Sequence, residues 1–450
     1  GGNNDLSNSS TLENKYENSS LLAYIIILKM KIRINIIKYL ANLKFAIVLL
    51  ILIASLSILG TVIEQDQTVE FYKINYQQTI YSIRVWQIII QFGLNHIFKT
   101  SWFIGLLIIF GSSLMCCTFI QQLPILKNAK KIFFYRKSNQ FYKLPLNSKI
   151  QNISTGNLLN KLIIKNYLIY QQKNIFYAYK GLSGRIAPII VHLSLLLILL
   201  GAVIGSLMGF KSQELIPKTE NFQIQKLIST NIFTYLPTIS TRVNDFWITY
   251  KQNNIIDQFY TDLSILDSSG NELKRKTISV NKPLQYKNIS YYQTDWDIMG
   301  TRIRLDNLQI YQIPTLTPEK MNKTIWLTWL PKSKGINIIF DNSRGVNAIY
   351  NNFGKFLTYI DTGESYRTSL YNFQIIDLIY ITGLQIKVDP GIPLIYTGFG
   401  ILMISILISY ISFSQIWILR QHNTIFIGGR TNRAQINFEI EILNIILELK

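Results

Sequence analysis

Four stretches of this sequence contain no Asp, Glu, Lys or Arg and are each long enough to cross about 30 Å of hydrocarbon at about 1.5 Å per helical residue: 45–63, 102–120, 186–210 and 391–419. A soluble core helix keeps a polar face, and these runs lack a charged one, so each is expected to span a membrane. Everything else in the chain has to be arranged around four spans. The first lies too far from the N-terminus for a cleaved leader and no small-residue cleavage site follows it, so it is expected to be retained.

Lys and Arg are held on the cytoplasmic side of a membrane. Residues 123–185 hold twelve Lys/Arg and no Asp/Glu, whereas the much longer 211–389 stretch holds twenty and sixteen. The loop 121–185 is therefore expected inside. An even number of spans puts both termini, including the tail 420–450, on that same side, and it leaves the loop 64–101 and the domain 211–389 outside. These basic flanks, with contact to anionic lipid, account for the formal charge of +20, and no nucleic-acid partner is expected. Residues 1–20 are rich in Asn and Ser and are expected to be disordered. Residues 21–44, an apolar run followed by Lys29, Lys31, Arg33, Lys38 and Lys44, read as a basic amphipathic helix lying on the membrane surface.

The outer domain shows short runs of period-two alternation separated by turn residues, with strands expected at 245–250, 259–266, 273–280, 290–293, 302–311, 324–330 and 336–340. Asp267-Ser268-Ser269-Gly270 makes a hairpin turn between the second and third. This predicts a large, mainly antiparallel β domain, sandwich or barrel-like. In the inner loop a basic helix is expected at 126–137 and strands at 162–171 and 175–179.

One of the three histidines, His192, falls inside a span. An ionisable side chain in hydrocarbon is costly and tends to face protein or a cofactor, and neutral imidazole is the usual axial ligand of haem iron. A haem ligand, a proton relay and a histidine bonded to a neighbouring helix all fit that position. His96 and His422 sit at membrane flanks, where histidine is ordinary. Cys116 and Cys117 are the only cysteines, adjacent on the second span, and are expected to pack rather than react. Asp295 and Asp297 around Trp296 read as a solvated turn. No nucleophile elbow, phosphate loop, zincin motif or metal-spaced Cys/His cluster occurs, so no catalytic residue is assigned and a self-contained enzyme is not expected.

Four separated stretches carry a resemblance to a known family: SWFIGLLIIFGSSLMCCTFIQQLP at 101–124, GRIAPIIVHLSLLLILLGAVIG at 184–205, DFWITY from Asp245 with KTISVNKPLQYKNISYYQTDW at 276–296, and TGLQIKVDPGIPLIYTGFGILMISILISYISFSQIW at 382–417. In these the chain resembles the ResB-type subunit of system II cytochrome c biogenesis. That family's architecture, three spans, an outer domain before the last span and a basic inner loop, agrees with the topology read above. The resemblance implies a plastid thylakoid protein with both termini stromal and the large domain lumenal, working with a CcsA-type membrane subunit. It also implies that haem b is held transiently, shared with that partner, and presented reduced to apocytochrome c. It makes His192 the candidate axial ligand, so the iron would be the one metal held. The haem-handling tryptophan segment belongs to the partner. Asp295, Trp296 and Asp297 would at most touch apocytochrome.

Two positions depart from the pattern. Phe413 stands where bacterial members often carry histidine, and Gln121 and Gln122 stand near a position where they carry arginine. The opposite axial ligand is therefore expected from the partner. The Ile/Asn/Lys-rich composition suits a plastid genome, a bacterial inner membrane being the alternative. The competing function is a membrane-anchored binding or sensor protein without haem.

Overall fold

The computed structural model describes residues 31, 35–80, 83–151, 153–231, 233–251, 256–306, 309–318, 325–330, 335–341, 347–367 and 372–449. The stretch 1–20 and most of the surface helix expected at 21–44 lie outside these residues; 35–40 are helical. Among the described residues four helices are long and apolar enough to cross a membrane: Leu43–Val62, Ser101–Ala129, Ser183–Met208 and Ile392–Ser409, here spans one to four. Ile51, Val62, Ile404 and Leu407 on them are 60–72 % exposed, which is stable only where lipid replaces water. The protein is a membrane protein with four transmembrane helices and a large antiparallel β domain.

Local chemistry sets the helix starts. Asn42 Oδ1 accepts from Lys44 N at 2.9 Å before span one, and Thr100 Oγ1 accepts from Phe103 N at 3.4 Å before span two. Spans three and four approach through small residues. A Cβ on Gly398 would lie 3.0 Å from the Ser194 carbonyl oxygen, and one on Gly201 2.8 Å from that of Gly391, so the backbones meet where only glycine leaves room.

The chain divides into two compact units, the first comprising 1–65, 73–203 and 391–450 and the second 66–72 and 204–390. In the first unit, a five-stranded antiparallel sheet runs in the order Leu146–Gln151, Thr424–Thr431, Ser414–Gln421, Ile175–Lys180, Leu168–Gln172. Two of these strands come from beyond span four, so the segment between spans two and three and the tail fold as one body. One sheet face packs Ile416, Ile418, Ile425 and Ile427 against Leu158 and Leu162 of the helix Thr155–Ile164 and Phe438 and Ile442 of the helix Gln435–Leu447. The other face buries Tyr177, Trp417, Leu419 and Phe426 with Phe141 and Leu144.

This arrangement differs from three sequence expectations. Span four ends at Ser409 rather than 419, because 414–421 is a central strand buried on both faces. Such a strand is a continuous apolar run, indistinguishable by hydropathy from more of the span. Residues 162–171 are the end of a helix, a turn and then a strand, since Leu158 and Leu162 are a helical pair facing the sheet. The helix expected at 126–137 stops at Ala129.

The second unit hangs on two 17-residue strands, Ile289–Leu305 and Asn372–Val388, paired antiparallel along their lengths. They belong to a seven-stranded sheet, flanked by two four-stranded sheets. One core gathers Val243, Leu263, Ile278, Tyr291 and Leu384; a second gathers Ile303, Trp326, Ile338, Phe340 and Phe373. A register shift between Gln293 and Asp295 changes which residues face inward and lets one strand pair serve both cores. Near this shift Thr382 Oγ1 lies 3.0 Å from Gln293 Oε1 and 2.8 Å from Thr261 Oγ1, a satisfied buried triad. The strand expected at 302–311 is two strands of a hairpin, ending at Leu305 and resuming at Gln309.

Candidate functional site

His192 lies nine residues into span three, about 13.5 Å from its start, well inside hydrocarbon. Its ring is half-buried and turned to span two, where Thr118 Oγ1 stands 2.9 Å from Nδ1. The Thr118 hydroxyl also lies 2.8 Å from the Leu114 carbonyl oxygen, which can only accept. The arrangement that satisfies all three groups has Thr118 donating to Leu114 and the His192 Nδ1–H donating to Thr118. In that arrangement Nε2 is the lone-pair nitrogen. A neutral imidazole with one nitrogen tied and the other free is the state that binds a metal.

The backbone around Thr118 is specialised. The segment Thr118–Gln122 is a π-helical turn, closed by Leu123 N to Thr118 O, between α-helical stretches. Pro124 follows, and a proline within a helix has no N–H for the carbonyl four residues back and crowds it; the widened turn accommodates both effects. Such turns recur at functional sites. Gln121 Nε2 donates to the Ala41 carbonyl at 2.7 Å, Cys117 Sγ lies 3.7 Å from Gln121 Oε1, and Ser113 Oγ donates to Leu40 O at 2.6 Å. Span two is thereby tied to the turn before span one. Cys117 is buried and Cys116 half-buried, neither in a disulfide.

The other singled-out residues are not brought to His192. Exposed His96 sits in the 3₁₀ turn Leu94–Lys99, before span two, whereas Thr118 lies beyond its α-helical part. Exposed His422 takes a left-handed φ of 48° in the hairpin turn between Ser414–Gln421 and Thr424–Thr431. In the β domain Asp297 Oδ1 accepts from Trp326 Nε1 and, at 2.8 Å, from Ile298 N, while Asp295 Oδ1 accepts from Trp296 N at 2.8 Å. Trp296 packs on Trp326, Phe246 and Tyr380, with ring centroids 5.4, 6.4 and 6.2 Å apart. These residues hold strands together. Burial, and then neighbouring Tyr250, push the Tyr380 hydroxyl up to about 12. Among the described residues no three His, Cys, Asp or Glu side chains cluster as a metal site.

The ResB-like family model matches residues 43–359 and 309–443. The chain belongs to the ResB-like family. The cytochrome c biogenesis protein Ccs1 of Thalassiosira pseudonana is 50 % identical over 418 residues, covering 92 % of this chain and 99 % of that protein. The cytochrome c biogenesis protein CcsB of Nostoc sp. is 42 % identical over 429 residues, 93 % of each chain, and Ccs1 of Porphyra purpurea is 42 % identical over 422 residues, 93 % of this chain and 97 % of the other. Among solved structures, a chain of the cytochrome c heme lyase CcmF gives a TM-score of 0.23 at 8 % identity over 76 % of this chain and 42 % of that one. That likeness is too low to carry an argument. Sequence reasoning found His192 from its place in a span but missed Thr118, Leu114 and the π turn; the one trace they leave is a proline shortly after a threonine at the end of an apolar run.

Proposed function

We propose that this ResB-like chain acts in c-type cytochrome biogenesis by holding haem at His192 within the membrane, for transfer to apocytochrome c across from the side where haem is made. The observation that carries this reading is the intramembrane imidazole whose Nδ1 lies 2.9 Å from Thr118 Oγ1, itself 2.8 Å from the Leu114 carbonyl oxygen, a pairing that supports the tautomer with its lone pair on Nε2. Haem is the cargo; when held it supplies an iron that takes the Nε2 lone pair and the vinyl groups that later bond to apocytochrome thiols.

The chain's own contribution is positional. Thr118, itself bonded to Leu114, fixes the ring and its tautomer, so Nε2 points in one direction. The surrounding apolar helices exclude water from that side of the iron and favour its ferrous state. With no other histidine near, the opposite ligand comes from a partner, a CcsA-type subunit. The charge asymmetry of the loops supports a thylakoid membrane protein with both termini and the five-stranded sheet stromal, and the β domain lumenal where it would meet the unfolded apocytochrome. Relatives from algae and cyanobacteria agree with a plastid setting.

The test is the absorption spectrum of the purified protein, with and without its partner subunit, for the native chain and His192→Gly. The expected result is a reduced low-spin haem signal that the substitution abolishes and added imidazole restores. An unaltered haem signal in His192→Gly would overturn the assignment.

A further inference from the structure

Arg185 lies seven residues before His192 on span three, close to two helical turns. The two side chains therefore leave about the same helix face, about 10.5 Å apart along the axis. Between them on that face stand Pro188 and Ile189, apolar and half-buried. The Arg185 guanidinium sits 5.5 Å from the centroid of the Phe413 ring, and its Nε is buried without a hydrogen-bond partner. This is a tightly built place: a Cβ on Gly184 would fall 1.9 Å from the Ile411 carbonyl oxygen, and Phe413 N donates to Asn432 Oδ1 at 2.7 Å.

Two further cations converge there. Arg433 Nη1 donates to the Ser409 carbonyl oxygen at the end of span four at 2.7 Å, and Arg430 stands opposite Gln415 in the adjoining strand pair. Both are within electrostatic reach of Arg185. Among the described residues no carboxylate forms an ion pair with any of the three. Three guanidiniums that repel one another, around a buried unsatisfied donor, are destabilising unless an anion joins them, and guanidinium is the side chain best suited to grip a carboxylate by two hydrogen bonds.

We propose that Arg185, with Arg430 and Arg433, is the seat for the propionate carboxylates of the haem whose iron His192 takes. The inference rests on the haem reading of His192. It is favoured over a lipid headgroup by the order of features on one helix face, namely a metal-binding nitrogen, an apolar interval and a cationic patch. That order matches a molecule with a central metal, an apolar body and carboxylates along one edge. Arg185 would be a binding residue that sets which way the macrocycle enters.

The test uses the full chain in nanodiscs of phosphatidylcholine, titrated with haem and with haem dimethyl ester, whose carboxylates are masked, while the low-spin absorption is followed. The native chain is expected to bind haem about 10- to 100-fold tighter than the ester, the span for one charge-assisted hydrogen bond or two. Arg185→Gln should bind the two alike, at the native affinity for the ester, which also shows that the variant is folded; Arg430→Gln should narrow the gap in part. Equal binding of haem and ester by the native chain, with the His192-dependent spectrum intact, would overturn the carboxylate seat and leave the haem reading standing. Absence of any haem spectrum would overturn both. Loss of the discrimination when phosphatidylglycerol is added at a few mole per cent would assign the cluster to a lipid phosphate instead.

Discussion

At the scale of single residues the site depends on one proton. A histidine in hydrocarbon is unfavourable as a cation, and as a neutral ring it can hold its proton on either nitrogen; a Thr118 hydroxyl that donates to Leu114 offers its oxygen as acceptor and so favours the proton on Nδ1. Replacing Thr118 by Val removes that acceptor with little change of volume. Haem titration of Thr118→Val should show affinity lowered by about 10- to 100-fold, the usual loss when a ligating histidine loses its support, while Thr118→Ser should stay near native. Equal affinities in all three proteins would remove Thr118 from the site. His192 itself was visible in the sequence because a charge-bearing residue in a charge-free run stands out. Thr118 was not, because a threonine in such a run is unremarkable until the fold places it 2.9 Å from the ring.

At the scale of elements, glycines decide where helices meet. The contact of Gly184 with the Ile411 carbonyl seats the start of span three on the turn after span four, and backbone cannot yield as a flexible side chain can. Gly184→Ala is expected to lower stability by at least about 1–3 kcal/mol, read as a lower unfolding temperature of the detergent-solubilised protein. Gly105→Ala is the control, since a Cβ there meets nothing within 4 Å; a similar loss in both would show that any added methyl harms these helices. Helix lengths were legible from hydropathy to within a few residues for spans one and three. Span four was overestimated because the run 416–419, buried in the sheet, is as apolar as a lipid-facing helix and carries no charge before Arg420.

At the scale of the whole molecule the tail is part of the body between spans two and three. Ser414–Gln421 and Thr424–Thr431 lie in the interior of the five-stranded sheet, and Lys180 Nζ meets Glu441 Oε1 at 2.9 Å across that body. A chain ended after Ser412 should keep its membrane helices and lose this sheet, leaving residues 138–180 open to protease in membranes where the full chain is resistant. Full resistance in the shortened chain would mean that the loop folds without the tail. The strands between spans two and three were only partly foreseen, since a strand pattern shows that a segment will pair and not with which distant segment.

The sequence by itself determined the membrane class, the number of spans and the antiparallel character of the β domain. All of these rest on sums or periods over a short window of neighbours, which hydropathy and charge report directly. The structure alone decided the pairing of His192 Nδ1 with Thr118, the π turn that presents Thr118, the glycine contacts between spans three and four and the union of the tail with the loop between spans two and three. Each of these joins atoms far apart along the chain, 74 residues in the case of Thr118 and His192. A hydrogen bond or close approach of that kind depends on positions to within a few tenths of an ångström, which no local pattern carries.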